Sequence, residues 1–135
     1  MTIQQRLLLD TNIVTYTSSA TDWKEMYEPI LLGKKLYICF MTFAELLEAV
    51  RHRKMSEKNI QVYTNKIRSR YSIIPWNEMI CHHFAIIRVQ RRNKPISVSD
   101  ALIAATALAY GLPLVTHNAR DFEGIAGLNA ITKYQ

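Results

Sequence analysis

The stretch SDALIAATALAYGLPLVT, Ser99 to Thr116, predicts the unit on which the fold depends, a helix followed at once by a strand. Residues 101–110 are apolar nearly all round, so we expect a helix that is buried on most of its surface. Ser99 and Gly111 are typical of a helix start and a helix end. The apolar run 112–116 then predicts a short strand that is covered on both faces.

The same alternation extends over the rest of the chain. Thr42 and Ser56 are expected to cap two further helices, and Gly33 to end a third. Because strands that alternate with helices predict a parallel sheet with helices on both faces, we expect an α/β fold, a three-layer α/β/α domain around a central, mostly parallel sheet. The other strands are predicted at 6–10, 36–40, 71–75 and 128–132, and the other helices at 21–33, 42–54, 57–70 and 77–92.

Length and composition set the class of protein. A chain of 135 residues is the size of one domain, so residues 1–135 are expected to form a single domain. Cys39 and Cys81 lie in apolar runs and are expected to be buried, reduced thiols. No run approaches the roughly 20 apolar residues that span a bilayer, and the first ten residues lack the apolar core of a signal peptide. We therefore expect a soluble, cytoplasmic protein.

Positive charge is concentrated in one part of the chain. Residues 51–94 contain 11 of the 17 lysines and arginines but only 2 of the 11 acids, which gives this segment +9 and leaves −3 for the rest. Such a distribution suits a protein that binds a polyanion, although charged helix faces in solvent give the same count. Three basic residues that closely precede Asp100 are candidates for contacts with substrate phosphates: Arg91, Arg92 and Lys94.

Four acids fall at corresponding points of the predicted strands and helices. Asp10 ends the first strand, and Asp121 follows the strand 112–116. Glu45 and Asp100 each lie in the first turn of a predicted helix. Because ligands bind beyond the carboxyl ends of parallel strands, the four carboxylates are expected at one edge of the sheet. Taken alone, Asp100 is equally explained by the helix dipole, which favours an acid at that position.

Carboxylates that converge in one cleft repel each other, and protonation or a bound cation relieves the repulsion. A set of oxygen ligands without His or Cys suits Mg²⁺ or Mn²⁺, and Asp10, Asp100 and Asp121 are expected to share such an ion. A divalent cation of this kind polarises a phosphate and activates a water. The sequence therefore predicts a metal site that acts on a phosphate ester.

Three motifs resemble the PIN-domain ribonucleases, and most closely the VapC-type toxins of bacterial toxin–antitoxin pairs: LLLDTNIV (7–14), TFAELLEAV (42–50) and SVSDALIAATALAYGLPLVTHNARDFEGI (97–125). The likeness covers essentially the whole chain. DTN alone is a weak signal, whereas DALIAATA followed by GLPLVT and DF in this order and spacing is specific. The resemblance implies a PIN-like fold and metal-dependent endonucleolytic cleavage of RNA that leaves a 5′-phosphate and a 3′-hydroxyl.

The resemblance also assigns roles to individual residues. Some members place the fourth acid where Asn118 stands here, and others use the aspartate before a phenylalanine, here Asp121. We expect Asp121 to act as the fourth acid, with Asn118 as an oxygen ligand or a group that positions water. The neutral Asn118, at a position where some members have an acid, puts the binding of a second metal ion in question but not that of the first. The remaining matches are Asp10, Glu45 and Asp100 as catalytic acids, with Asn12 and Thr116 as supporting polar residues.

Members of the family are usually dimers that a cognate antitoxin protein inhibits by inserting its tail into the acidic cleft. The resemblance thus implies an RNA substrate, an antitoxin partner and a homodimer.

Two other classes of protein are alternatives. The first is a haloacid-dehalogenase-type phosphatase, which is disfavoured because that class uses a second acid where this chain has Asn12. The second is a catalytically weak PIN scaffold that only binds RNA or a partner protein. It is suggested by Asn118, which carries no charge.

Overall fold

The computed structural model of the chain describes residues 4–17 and 22–133, so the predicted helix start at residue 21 lies outside the described residues. The elements follow the predicted alternation, with most ends displaced by one or two residues. In chain order they are β1 (Arg6–Leu9), α1 (Thr11–Thr17), α2 (Asp22–Leu31), β2 (Lys35–Cys39), α3 (Phe40–His52), α4 (Glu57–Arg70), β3 (Ser72–Ile74), α5 (Glu78–Gln90), α6 (Val98–Tyr110), β4 (Leu114–Val115), a 3₁₀ helix (Ala119–Phe122) and β5 (Ala130–Ile131).

The sheet has the strand order β3-β2-β1-β4-β5, and each neighbouring pair is parallel. Leu8 of β1 is paired with Tyr37 of β2 on one side and with Leu114 of β4 on the other. The predicted α/β fold around a mostly parallel sheet is confirmed. Because β1 is the central strand, the residue that follows it lies in the middle of the carboxyl edge of the sheet.

Helices cover both faces of the sheet. Because successive side chains of a strand point to opposite faces, one strand contributes to both cores. Leu8 points into a core formed with α5 and α6, whereas Leu7 and Leu9 point into a core formed with α1 to α4. The predicted central position of the apolar helix is also confirmed, because α6 buries Ala101 and residues 103–107. These two cores fix α6 and α3, which carry the predicted acids Asp100 and Glu45, against opposite faces of the same strands.

Several local predictions about helix ends are corrected. The N-cap of α6 is Ser97 rather than Ser99, because the Ser97 hydroxyl accepts a hydrogen bond from the Asp100 backbone N–H at 3.1 Å. The N-cap of α3 is Cys39 rather than Thr42, which is buried inside the helix. Glu45 therefore lies beyond the first turn of α3. The predicted roles of Ser56 as a cap and of Gly111 as a left-handed helix end are confirmed, with φ of 62° at Gly111.

Two further expectations are changed by the structure. Cys39 is buried as expected, but Cys81 is exposed on α5, so its apolar sequence neighbourhood was a poor guide to its burial. The helix α1 was not predicted from the sequence. At its start, the Asp10 carbonyl accepts hydrogen bonds from the backbone N–H groups of Ile13 and Val14. Among the described residues, no helix is long and apolar enough to cross a membrane.

Candidate active site

Asp10 is the buried centre of the site. It follows β1 directly, and its side chain is only 4% exposed. The backbone N–H of Thr11 donates to one carboxylate oxygen and the Thr116 hydroxyl donates to the other, both at 2.8 Å. Burial nevertheless raises the pKa of Asp10 to about 6, and the nearby carboxylates of Asp100 and Glu45 add to this rise. The fold therefore keeps a carboxylate in an environment that disfavours its negative charge.

Glu45 reaches the same region from α3, on the opposite side of β1 from β4. The Thr11 hydroxyl lies 2.7 Å from a Glu45 carboxylate oxygen and 3.0 Å from the Thr42 hydroxyl. This contact joins the residue after Asp10 to the helix that follows β2. It fixes the direction of the Glu45 side chain, which is half-buried.

Asp100 lies in the first turn of α6 and is half-buried. Burial raises its pKa, and the carboxylates of Asp121 and Glu45 raise it further, while the Ser97 hydroxyl and the charge of Arg91 act in the opposite direction. Asp100 thus has a carboxylate neighbour on each side, since it also raises the pKa of Asp10. The structure brings the four predicted acids to one edge of the sheet, where the charge of Asp100 acts on Asp10 and the charges of Asp121 and Glu45 act on Asp100.

Asp121 differs from the other three because it is exposed, at a position in the 3₁₀ helix after β4. Its backbone N–H donates to the Asn118 carbonyl at 3.0 Å, and the Asn118 backbone N–H donates to the Thr116 hydroxyl at 3.1 Å. Thr116 therefore connects two parts of the site, since its hydroxyl also donates to Asp10. The side chain of Asn118 is exposed, and Asn12 lies half-buried in the first turn of α1.

The donor groups fit a hard divalent cation that is held in part by water. Among the described residues, no three carboxylate, imidazole or thiol groups form a ready-made metal cage, so the expected sharing of one ion by Asp10, Asp100 and Asp121 is not prearranged. Mg²⁺ commonly keeps several waters and takes only one or two carboxylates together with substrate phosphates. Two neighbouring carboxylates, Asp10 and Asp100, whose repulsion a cation would relieve, meet that requirement.

The basic residues occupy different places from those expected. Arg91 is buried, with 6% exposure, and its guanidinium donates to the backbone carbonyls of Lys94, Asp121 and Glu123. Its burial and these three backbone partners do not support the prediction that Arg91 contacts substrate phosphates. Arg92 and Lys94 are exposed, and Lys94 lies 3.4 Å from the Glu123 carboxylate.

The basic segment 51–94 is also not one surface. Its lysines and arginines on α3 and α4 belong to one helical layer, and those that end or follow α5 belong to the other. A count along the sequence combines these two groups, although the sheet lies between them. Only the second group is next to the segment that carries Asp121, as the Lys94–Glu123 pair shows.

Sequence reasoning missed three polar residues next to the site. Thr11 and Thr42 were overlooked because their hydroxyl groups belong to no sequence motif with a characteristic spacing. Tyr27 of α2 is fully buried, and its hydroxyl lies 2.8 Å from Nδ1 of His117, the residue between Thr116 and Asn118. The Tyr27–His117 contact joins two segments 90 residues apart in the chain, so no local pattern predicts it.

Comparison with known proteins agrees with this fold. The family model described as PIN domain matches residues 7–128. The tRNA(fMet)-specific endonuclease VapC of Shigella flexneri is 30% identical over 127 residues, which cover 91% of this chain and 94% of that protein. Ribonuclease VapC2 of Haemophilus influenzae is also 30% identical, over 125 residues, with 91% and 94% covered.

Solved structures are similar over nearly the full length. VapBC-1 from nontypeable Haemophilus influenzae superposes with a TM-score of 0.78 and 26% identity, and covers 95% of this chain and 98% of that one. VapBC2 from Rickettsia felis, bound to a DNA fragment from its promoter, gives 0.77 and 25%, with the same coverage. The chain therefore belongs to the PIN-domain family, and within it to the VapC group.

Proposed function

We propose that this protein is a divalent-metal-dependent endoribonuclease and the toxin component of a toxin–antitoxin pair. The observation that supports this most is the buried Asp10 at the carboxyl end of the central strand, with Asp100 and Glu45 near enough to raise its pKa. Nucleases of the PIN-domain VapC type depend on a divalent metal, and the all-oxygen donor set favours Mg²⁺ or Mn²⁺ for this chain. Asp10, Glu45, Asp100 and Asp121 are the catalytic acids of the proposal.

The chain's own residues prepare the site for cleavage. Asp10 and Asp100 would hold the cation, whose chemistry would be to polarise the phosphate and activate a water. The Thr11 N–H and the Thr116 hydroxyl keep the Asp10 carboxylate in one orientation. Glu45, fixed by the Thr11 hydroxyl, is placed to accept a proton from the attacking water. Asp121, which is exposed, would act next to the bound RNA strand. The expected products carry a 5′-phosphate and a 3′-hydroxyl.

The proposal extends to partners and location. VapBC structures are toxin–antitoxin complexes, and we infer an antitoxin that places a basic side chain among the carboxylates, because an arginine makes paired, charge-assisted bonds there. Arg92 and Lys94, both exposed, remain candidates for RNA phosphate contacts. We further propose one domain over residues 1–135, a homodimer, and action in the cytoplasm, where RNA substrates are abundant.

A catalytically weak PIN scaffold remains the second candidate, and the neutral Asn118 favours it. Incubation of the purified protein with RNA separates the two. The enzyme is expected to cleave RNA with Mg²⁺ or Mn²⁺, and EDTA is expected to stop cleavage. RNA binding without cleavage at any metal concentration would support the scaffold. Cleavage that leaves a cyclic phosphate would instead indicate a mechanism without metal.

A further inference from the structure

The buried Arg91 has a position that phosphate binding does not explain. It is the C-cap residue of α5, and its backbone N–H donates to the Ile87 carbonyl at 2.9 Å. Its side chain then turns inward, where Nε donates to the Lys94 carbonyl at 2.9 Å. Nη1 donates to the carbonyls of Asp121 and Glu123 at 3.0 and 2.8 Å. One guanidinium thus binds both the turn after α5 and the 3₁₀ segment that carries Asp121.

The energetic reason for this arrangement lies in burial. A buried cation is costly unless its donors are hydrogen-bonded, and the planar fork of arginine supplies several donors in a fixed geometry. Among the described residues, Arg91 forms no ion pair, so backbone carbonyls are the partners that offset its burial. Removing the guanidinium would leave the Asp121 and Glu123 carbonyls without these bonds. The Arg91 guanidinium therefore holds the backbone of this segment, while the buried Phe122 side chain anchors it to the core.

Two neighbouring features support the same connection. Lys94 and Glu123 form an exposed ion pair between the same two segments. Gly124 has a φ of +77°, and a side chain there would come within 3.7 Å of Cδ of Arg91. The backbone thus passes close to the arginine stem just after the carbonyls that it binds. Each contact keeps the 3₁₀ segment against the end of α5.

We propose that Arg91 is a positioning residue whose buried guanidinium fixes the segment bearing Asp121 and so sets the place of Asp121 beside Asp100. The inference deepens the proposed nuclease function and rests on it. Arg91 acts through the backbone of another residue and does not touch the RNA. It also leaves a positive charge behind the carboxylates, near enough to Asp100 to oppose the effect of Asp121 on that residue.

Hydrogen exchange of the metal-free protein tests the proposal without any reference to activity. The variants are Arg91→Gln, which removes the charge and the fork, and Arg91→Lys, which keeps the charge. Arg92→Gln is the matched control, since it removes the same charge at an exposed neighbouring position. The amides of α6 report global stability in the same samples. Mn²⁺ affinity by calorimetry and RNA affinity in EDTA complete the set.

In Arg91→Gln, residues 119–124 are expected to exchange at least tenfold faster while α6 keeps its protection. Mn²⁺ affinity is expected to fall by about tenfold, the lower end of the range for groups that orient residues of a metal site, because Asp121 acts beside the two carboxylates that hold the ion. RNA affinity in EDTA and its salt dependence are expected to stay at wild-type values. Arg91→Lys should lie between wild type and Arg91→Gln, and Arg92→Gln should leave exchange and Mn²⁺ affinity unchanged.

Three outcomes would overturn the proposal. The first is unchanged exchange of residues 119–124 in both Arg91 variants. The second is equally faster exchange in α6, which would make Arg91 a general stabiliser. The third is a lower RNA affinity with a salt slope reduced by about 0.7, the value for one lost phosphate contact on a single strand. A wild-type protein that binds Mn²⁺ but never cleaves RNA would refute the proposed function and leave the exchange result standing.

Discussion

The two sides of the candidate site are built in opposite ways. On one side Asp10 is buried at the end of the central strand, and both of its carboxylate oxygens accept hydrogen bonds. On the other side Asp121 is exposed in a 3₁₀ helix, which the guanidinium of Arg91 holds through a backbone carbonyl. We refer to these as the Asp10 side and the Asp121 side. The first is fixed by the sheet, whereas the second is held by the Arg91 guanidinium together with the buried side chain of Phe122.

The difference has a consequence for function. A group whose charge is disfavoured by burial gains most when a cation binds, so the Asp10 side is suited to hold the metal. Asp121 is exposed at the rim of the site on a segment that Arg91 holds in place, so the Asp121 side is suited to act at the edge where an RNA strand would lie. Substitutions on the Asp10 side should therefore remove activity, and those on the Asp121 side should lower it.

The largest effect is expected from removing a metal-binding carboxylate. Asp10→Asn or Asp100→Asn should lower RNA cleavage by about a thousandfold or more, since a metal supplies several kcal/mol of transition-state stabilisation. Cleavage rates of a labelled RNA measure the loss, and circular dichroism checks the fold. Glu28→Gln, an exposed acid-to-amide change on α2, is the matched control. Near-wild-type rates in both variants would refute the assignment.

The second prediction concerns the stability of the Asp10 side in EDTA. Because the pKa of Asp10 rises from 3.8 to about 6 on folding, the folded state binds this proton more tightly than the unfolded state. The contribution to stability is present below pH 4 and is lost as the pH rises through about 6. A shift of about two units corresponds to about 3 kcal/mol, an upper limit.

Asp10→Asn avoids this loss of stability because the asparagine side chain carries no charge at any pH. Its NH₂ group would face the Thr116 hydroxyl in place of a carboxylate oxygen. The variant should therefore be more stable than wild type at pH 7.5, by about 1–3 kcal/mol, and nearly equal to it at pH 4. Urea denaturation at the two pH values measures the difference. A wild type that is the more stable of the two at pH 7.5 in EDTA would contradict the described environment of Asp10.

The third prediction concerns the connection between the sides. Thr116→Val removes a buried hydroxyl that donates to Asp10 and accepts from the Asn118 N–H. Activity should fall by about 10- to 100-fold, the range for groups that orient metal ligands. Thr116→Ser keeps the hydroxyl and should retain most of the activity. Equal losses in both variants would mean that packing of the methyl group, rather than the hydrogen bonds, matters.

The smallest effect is expected on the Asp121 side. Asp121→Asn removes a carboxylate that raises the pKa of Asp100 but keeps the backbone bonds of the segment. Activity should fall about tenfold, roughly 1.4 kcal/mol, and higher Mn²⁺ should partly restore it. A loss as large as that of Asp10→Asn, without rescue by Mn²⁺, would show that the two sides are equivalent.

Local patterns predicted most of the fold. Apolar runs marked the strands, and Gly111 marked the end of α6 because a left-handed residue there favours glycine. Ser97 and Ser99 stand two residues apart, and sequence alone did not distinguish them as caps. The helix α1 was missed because Thr11–Thr17 is rich in β-branched residues and begins inside the site motif, with its first amides held by Asp10.

The places of Asp10, Asp100 and Asp121 were predictable because each follows a strand or lies in the first turn of a helix, whereas Glu45 lies one turn further into α3 than expected. Their hydrogen-bond partners were not predictable in the same way. Thr11 meets Glu45 across 34 residues of chain, and Arg91 meets the Asp121 carbonyl across 30. Such pairs depend on which segments the fold brings together. An arginine in a basic run therefore looked like a phosphate ligand, although it is an internal support.

The position of bound Mn²⁺ tests the central claim most directly. Crystals soaked in Mn²⁺ should give an anomalous difference peak with carboxylate oxygens of Asp10 and Asp100 at about 2.0–2.6 Å, completed by water oxygens. The same peak should be absent from crystals of Asp10→Asn treated in the same way. A peak at another place on the protein, with RNA cleavage still dependent on Mn²⁺, would contradict the assignment of these carboxylates as the metal site.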